Sequence, residues 1–192
     1  MSMQKEPLEP LVPGEVKVYV CGPTVYSYIH IGNARTFTSF DVVVRYLRYR
    51  GFKVTYVRNY TDVDDKIIKA AHETGEAPVD LASRFVEAFR EDARALHLRE
   101  PDVSPRVSET IPEIVAIIQT LVDKGYAYEA KGDVYFAVDK DDDYAKLSKR
   151  NLDDLCQGER VQPGDHARGC DGVIQRAALG DFKHQLMKAN GR

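Results

Sequence analysis

The stretch Val16-Lys-Val-Tyr-Val-Cys-Gly-Pro-Thr-Val-Tyr-Ser-Tyr-Ile-His-Ile-Gly-Asn-Ala-Arg35 changes its period part-way along. Val16 to Val20 alternates and is rich in β-branched and aromatic residues, which predicts a strand. Cys21-Gly-Pro-Thr24 reads as a loop. From about Asn33 to Arg50 the apolar spacing becomes helical, through Phe37, Phe40, Asp41, Val44 and Leu47. Gly51 is placed to stop that helix. Phe52 to Arg58 predicts a second strand. Strand, helix and strand within some 40 residues predict a parallel βαβ unit with a right-handed crossover, and so an α/β fold.

The pattern continues with helices predicted over Val63 to Thr74, Leu81 to Leu98 and Ile111 to Lys124. The second of these carries Leu81, Phe85, Ala88, Phe89 and Leu96 on its apolar side, and the third is very apolar and ends at Gly125. Tyr126 to Glu129 and Val134 to Val138 predict a hairpin across Lys131-Gly-Asp133. No internal repeat is present. Residues 163–192 hold five of the 13 glycines and carry five basic against three acidic side chains. Only Val173 to Met187 has the pattern for a helix there, and the segment is expected to be loosely ordered.

A chain of 192 residues, 43% hydrophobic and 30% charged, is long enough to bury a core without disulfides or structural metal. No run approaches the ~20 apolar residues of a membrane helix. Met1 to Pro13, with three prolines and one lysine among a few acids, has neither a secretory nor a transit pattern. Cys21, Cys156 and Cys170 are too few and scattered for a disulfide framework, which points to a reducing cytoplasm. The net charge of −3 disfavours a strongly basic nucleic-acid binder but leaves room for a local basic face.

The segment Tyr19 to Arg35 is where chemistry concentrates. A strand leading through a loop into a helix start offers unpaired backbone N–H groups and the positive end of the helix dipole, which suits a phosphate. Gly32 permits close approach of a ligand to the backbone. His30 is able to donate to a phosphoryl oxygen whose charge grows in a transition state. By itself, a histidine in this position is more often a cap or a packed side chain.

His30-Ile-Gly-Asn33 on this turn resembles the HIGH motif of class I aminoacyl-tRNA synthetases. More closely, Tyr19-Val-Cys-Gly-Pro-Thr-Val-Tyr26, His30-Ile-Gly-Asn-Ala-Arg-Thr36 and Tyr56-Val-Arg-Asn-Tyr-Thr-Asp-Val-Asp-Asp-Lys-Ile-Ile68 resemble the N-terminal part of the cysteinyl-tRNA synthetase family. Gly132-Asp-Val-Tyr-Phe136 and Lys146-Leu-Ser-Lys-Arg-Asn-Leu-Asp-Asp-Leu155 extend the likeness, so that it covers residues 10–162 and leaves the tail, 163–192, outside it. The resemblance implies the first half of a Rossmann-like nucleotide-binding domain over residues 1–100, the start of its connective insertion over 101–162, and a divergent tail. It implies a cysteine–tRNA ligase, with cysteine, ATP and tRNA-Cys as substrates, Mg2+ and Zn2+ as metals, and a monomeric state.

By position, His30 and Asn33 are implied as catalytic, and Thr24, His30, Gly32 and Asn33 as ATP-binding. Cys21, Thr24, Tyr26 and Thr61 are implied around the cysteine, with Cys21 also a zinc ligand. A zinc with one open position would take the substrate thiolate directly, and so separate cysteine from its near isostere serine. The family's other zinc ligands, its Lys-Met-Ser-Lys-Ser loop, its helical stem and its anticodon-binding domain do not occur in these 192 residues. Truncation, frameshift and fusion would each give such a sequence.

Four other features compete for function. Lys146-Leu-Ser-Lys-Arg150 looks superficially like a phosphate-gripping lysine loop, but its neighbours fit the insertion. His166 and Cys170 have a spacing that two metal ligands could use, amid glycines that disfavour a helix. Arg45, Arg48, Arg50, Lys53 and Arg58, interleaved with Tyr46, Tyr49, Tyr56 and Tyr60, form either an RNA-contacting surface or a solvated face. Thr61-Asp-Val-Asp-Asp65 is either a metal site or a helix cap made by Thr61 or Asp62. Two readings compete with the ligase: a non-catalytic nucleotide- or partner-binding fragment, and a ligase joining cysteine to a sugar amine.

Overall fold

The computed structural model describes residues 4–130, 133–146 and 149, together with the backbone of 172–175. Two compact units divide the chain near Ile111. The first holds the predicted βαβ unit. Strand β1 (Glu15–Val20) pairs in parallel with β2 (Lys53–Arg58), from Glu15 opposite Lys53 to Val20 opposite Arg58. Helix α1 (Ile31–Tyr49) connects them, and Gly51 takes the chain out of it at a φ of 88° that a side chain would strain. Because the strands are parallel, both C-terminal ends lie at one edge, where α/β folds place their ligands.

Helix α1 buries Ala34, Phe37, Asp41 and Val44, while Phe40 stays exposed. Helices α2 (Asp65–Thr74) and α3 (Pro78–Ala95) complete the unit. Ile67 and Ala71 from α2, and Leu81, Phe85, Val86 and Phe89 from α3, join Val20, Val54 and Tyr56 of the strands in one core. Each such fully buried apolar side chain stabilises by roughly 1.5–3 kcal/mol. Leu96 departs from expectation. It follows the last turn of α3 and is exposed, because the helix ends at Ala95.

Asp41 is the charged member of the α1 face. Its carboxylate pairs with Arg45 at 2.5 Å and accepts from the backbone N–H of Arg99 at 3.0 Å, so its burial leaves neither oxygen without a donor. Beyond α3, an extended run beside β2 was not expected. The N–H groups of Arg58 and Tyr60 donate to the carbonyls of Val103 and Pro105, at 3.1 and 2.9 Å. Val57 and Tyr60 form parallel bridges to Val103 and Arg106. Pro101 and Pro105 remove N–H donors, which keeps this run from becoming a regular strand. Residues 101–107 thus sit with the parallel sheet, in the unit that ends at Ile111.

The second unit begins at Pro112, just inside α4 (Ile111–Asp123). The expected hairpin forms from β3 (Ala127–Ala130) and β4 (Asp133–Phe136), with Ala130 opposite Asp133. A single 3-10 turn covers Val138–Lys140. Strand β5 (Gly172–Gln175) pairs antiparallel with β4 and corrects the helix expected to open at Val173. Val173 and Ile174 are β-branched, and a free sheet edge rewards such residues more than an isolated helical turn does. The rest of that helix, the His166 and Cys170 pair and most of the tail fall outside the described residues. No helix among the described residues is long and apolar enough to cross a membrane.

Candidate adenylate-binding turn

Two loops leave the C-terminal edge of the parallel pair, one after β1 and one after β2. They are joined by a short parallel ladder. The N–H of Val25 donates to the carbonyl of Thr61 at 3.1 Å, and the N–H of Thr61 donates to the carbonyl of Pro23 at 3.1 Å. Thr24 and Thr61 are bridge partners as a result. Residues 37 positions apart, both assigned to the same substrate by resemblance, are therefore neighbours in space.

Asn59 fastens the same junction, and the sequence reading gave it no role. Its Oδ1 accepts from the N–H of Gly22 at 2.8 Å, and its Nδ2 donates to Thr61 Oγ1 at 3.4 Å. Its place between Arg58 and Tyr60 in the quoted motif was the available signal. The close approach needs Gly22, since a Cβ there would overlap the backbone carbonyl of Asn59. Gly22→Ala is expected to destabilise the fold by about 1–3 kcal/mol, as overpacking does. It should also free the loop of Cys21 to Thr24. Urea unfolding and amide exchange at Val25 and Thr61 would show both effects. Unchanged exchange there would mean that Gly22 has no such role.

Tyr26 carries the Lys66 ammonium over its ring at 5.5 Å. Cys21 is exposed and is a free thiol. The loop then reaches His30, the N-cap of α1. His30 Nδ1 accepts from the N–H of Gly32 at 3.1 Å, and the His30 N–H donates to Asn33 Oδ1 at 3.3 Å. This is a capping box built with histidine and asparagine. The helix therefore starts at Ile31, two residues before the predicted point. Two N–H groups expected to be free are also engaged, that of Gly32 by the imidazole and that of Asn33 by the His30 carbonyl.

The box has a chemical consequence. With Nδ1 accepting, a neutral imidazole carries its proton on Nε2. His30 is exposed, and the first turn of α1 has no acidic side chain. The turn thus presents the imidazole Nε2–H and the positive end of a 19-residue helix to an incoming anion.

Asp62 and its neighbours are arranged differently from either expectation. The cap of α2 is Asp64, which accepts from the N–H of Lys66 at 2.9 Å, so neither Thr61 nor Asp62 is the cap. Asp62 is buried and accepts from the N–H and the hydroxyl of Ser108, at 3.0 and 2.5 Å. Among the described residues no group of three His, Cys, Asp or Glu side chains could hold a metal. Cys21 is a single donor where zinc sites use at least three from protein. The described residues by themselves therefore fit neither zinc nor a carboxylate-held magnesium.

The basic and aromatic cluster is divided by the fold. Arg45 is tied to Asp41 and to the carbonyl of His97, Arg48 to Asp102 at 2.8 Å, and Lys53 to Glu15 at 3.0 Å. Tyr56, Arg58 and Tyr60 are buried. Burial holds the Tyr56 hydroxyl above its ordinary pKa, with nearby Arg58 opposing. The fold thus moves Tyr56, Arg58 and Tyr60 into the core, ties Arg45, Arg48 and Lys53 into ion pairs, and leaves Tyr46, Tyr49 and Arg50 exposed as a smaller solvated face.

Residues 7–180 match the family of class I (C) tRNA synthetase catalytic domains. The chain belongs to that family. The match runs past Gln162, so residues 163–180 fall inside the family's span rather than outside it. Similar curated proteins include the cysteine–tRNA ligase of Anaeromyxobacter sp. (strain K), 59% identical over 88% of this chain and 35% of its own length. That of Lacticaseibacillus casei (strain BL23) is 57% identical over 82% of this chain and 34% of its own length. That of Thermococcus kodakarensis is 54% identical over 100% of this chain and 41% of its own length. The chain thus spans roughly a third to two fifths of the length of these relatives. Among solved structures, the LeuRS of Agrobacterium radiobacter K84, in a ternary complex with tRNA and LeuAMS, superposes with a TM-score of 0.54. It is 20% identical and covers 66% of this chain and 17% of that one. That likeness supports the fold alone: an α/β catalytic domain of class I synthetase type.

Proposed function

We propose that this chain supplies the cysteine- and adenylate-binding portion of a cysteine–tRNA ligase acting in the cytoplasm as a monomer. The observation that carries the reading is the ladder that sets Thr24 beside Thr61 on the loop leading to the His30 cap. Identities of 54–59% to relatives named as this ligase support the choice of amino acid. In the reaction, a carboxylate oxygen of cysteine attacks the α-phosphorus of ATP and pyrophosphate leaves. A ribose hydroxyl of tRNA then attacks the carbonyl of the mixed anhydride, and AMP leaves.

Negative charge grows on the α-phosphate oxygens during the first step. His30 Nε2–H and the α1 N-terminus meet that charge in a fixed geometry, which is the usual source of such stabilisation. Asn33 holds the His30 backbone in place, and Gly32 leaves room for the nucleotide. Thr24, Tyr26 and Thr61 line the cysteine site. Cys21 would give one thiolate to the zinc that the family resemblance implies, and no step here is routed through that metal.

The test is a chimera in which this chain is joined in register to the remaining length of the Anaeromyxobacter relative. It is expected to charge tRNA-Cys with cysteine and to reject serine. A folded chimera that charges no cysteine, beside an active parent, would overturn the reading. Consumption of ATP with cysteine and an amino sugar, without tRNA, would instead favour the sugar-amine ligase. Against that stands the Pro23-Thr-Val-Tyr26 loop, which looks more like the tRNA enzyme.

A further inference from the structure

A cavity of about 280 Å³ lies in the first unit, between the end of β2, the last turns of α3 and the segment after it. Its charged lining is Arg58, Arg90, Arg94, Arg99 and one acid, Glu100, with Ser104 adding a hydroxyl. Four guanidinium groups against one carboxylate leave +3 on this wall. The C-terminal dipole of α3 offsets part of that charge. Glu87, bonded to Arg90 at 2.6 Å, offsets more. Burial pulls the Arg90 pKa down, but the Tyr60 hydroxyl and Glu87 outweigh it, so the group is held in its charged form.

Arg58 is the informative residue. It is only 3% exposed, and its Nε has no hydrogen-bond partner. No carboxylate among the described residues pairs with Arg58, Arg94 or Arg99. The rings of Phe37, Tyr56 and Phe89 lie 4.9–6.0 Å from its guanidinium carbon. Those faces soften the loss of water and hold the planar group, yet they accept none of its N–H bonds in the plane. A buried guanidinium without an anion is costly, and evolution has cheaper ways to fill a core. Held rigidly by these rings, with its Nε unsatisfied, it is what a site for a forked oxyanion contact requires.

We propose that this cavity binds one phosphate group, as a second anion site separate from the His30 turn. Arg58 forms the fixed floor. Arg94 and Arg99, which are exposed, close on the phosphate from the rim. The group belongs either to an RNA backbone or to free phosphate, since both offer the same oxygens. The inference does not depend on which amino acid the protein activates.

The test measures binding of inorganic phosphate to the 192-residue chain, by calorimetry and thermal melting, against chloride at equal ionic strength. Phosphate is expected to raise the melting temperature where chloride does not, because it binds only the folded state. The Arg94→Gln, Arg99→Gln double variant removes exposed charges only, and should weaken phosphate binding by roughly tenfold or more. Arg58→Lys keeps the charge without the fork, and should weaken it as well. Lys53→Gln, which removes an exposed cation outside both this cavity and the His30 turn, should leave phosphate binding unchanged. A single-stranded oligoribonucleotide forms the second arm. If it binds with the same dependence on Arg94 and Arg99, and loses affinity linearly with log salt, the source is RNA. If only inorganic phosphate binds, the source is the free ion. Equal responses to phosphate by the parent and the double variant, or a chloride effect matching that of phosphate, would overturn the proposal.

Discussion

The His30→Asn variant of the chimera is expected to melt like its parent and to lose about 10²–10³ in the rate of adenylation. The expectation rests on the two nitrogens of one ring having separate tasks. Nδ1 takes the Gly32 N–H and caps α1, while Nε2 is left as a donor. Asparagine is among the best N-cap residues, and its Oδ1 is able to take over the first task. It does not carry a donor to the place of Nε2. His30→Ala removes both functions. It should therefore cost about 1 kcal/mol of stability beyond the same loss of rate. Pyrophosphate exchange and thermal melts on the two variants separate the roles. An asparagine variant with full activity would reduce His30 to a cap.

That division also shows what the sequence could and could not carry. The strand, helix and second strand were legible because burial imposes a period of two or of three to four, and the run from Val16 to Arg58 shows both. Asp41 was placed on the buried face by spacing alone, against its charge, and the fold bears this out through Arg45 and the Arg99 N–H. The capping box was harder to read, because His at the cap and Asn three residues on are not the usual Ser and Glu.

What stayed hidden depends on contacts between distant segments. Nothing local distinguishes Arg58, Tyr56 and Tyr60 from surface residues. The rings that enclose the Arg58 guanidinium come from α1, from β2 itself and from α3. The run beside β2 at residues 101–107 was masked by its prolines, and β5 by the lack of any local sign of its partner. Within the site, Thr24 and Thr61 were each named, but the ladder between their loops and the Asn59 tie to Gly22 appear only in three dimensions.

These 192 residues alone are expected to show no cysteine-dependent exchange of pyrophosphate into ATP above background. Adenylation puts charge in two places, on the α-phosphate and on the leaving pyrophosphate. His30 and the start of α1 address the first. The second calls for mobile basic side chains, and Lys146 and Lys149 are the local candidates. Lys146 is engaged with Asp143 at 2.7 Å, in an exposed pair that water and salt weaken easily. Such a pair is a small obstacle energetically, so variants at these two lysines are included in the assay. The missing contact alone is expected to cost about 10²–10³ in rate. Loss of preorganised positioning for the two substrates adds further to the barrier. The assay compares the chain alone, a Lys146→Ala, Lys149→Ala double variant, and the chain mixed with the remaining length of a relative. Exchange by the chain alone that the double variant abolishes would make these lysines a working phosphate loop. Exchange only in the mixture, insensitive to the two lysines but lost in His30→Asn, is the expected outcome.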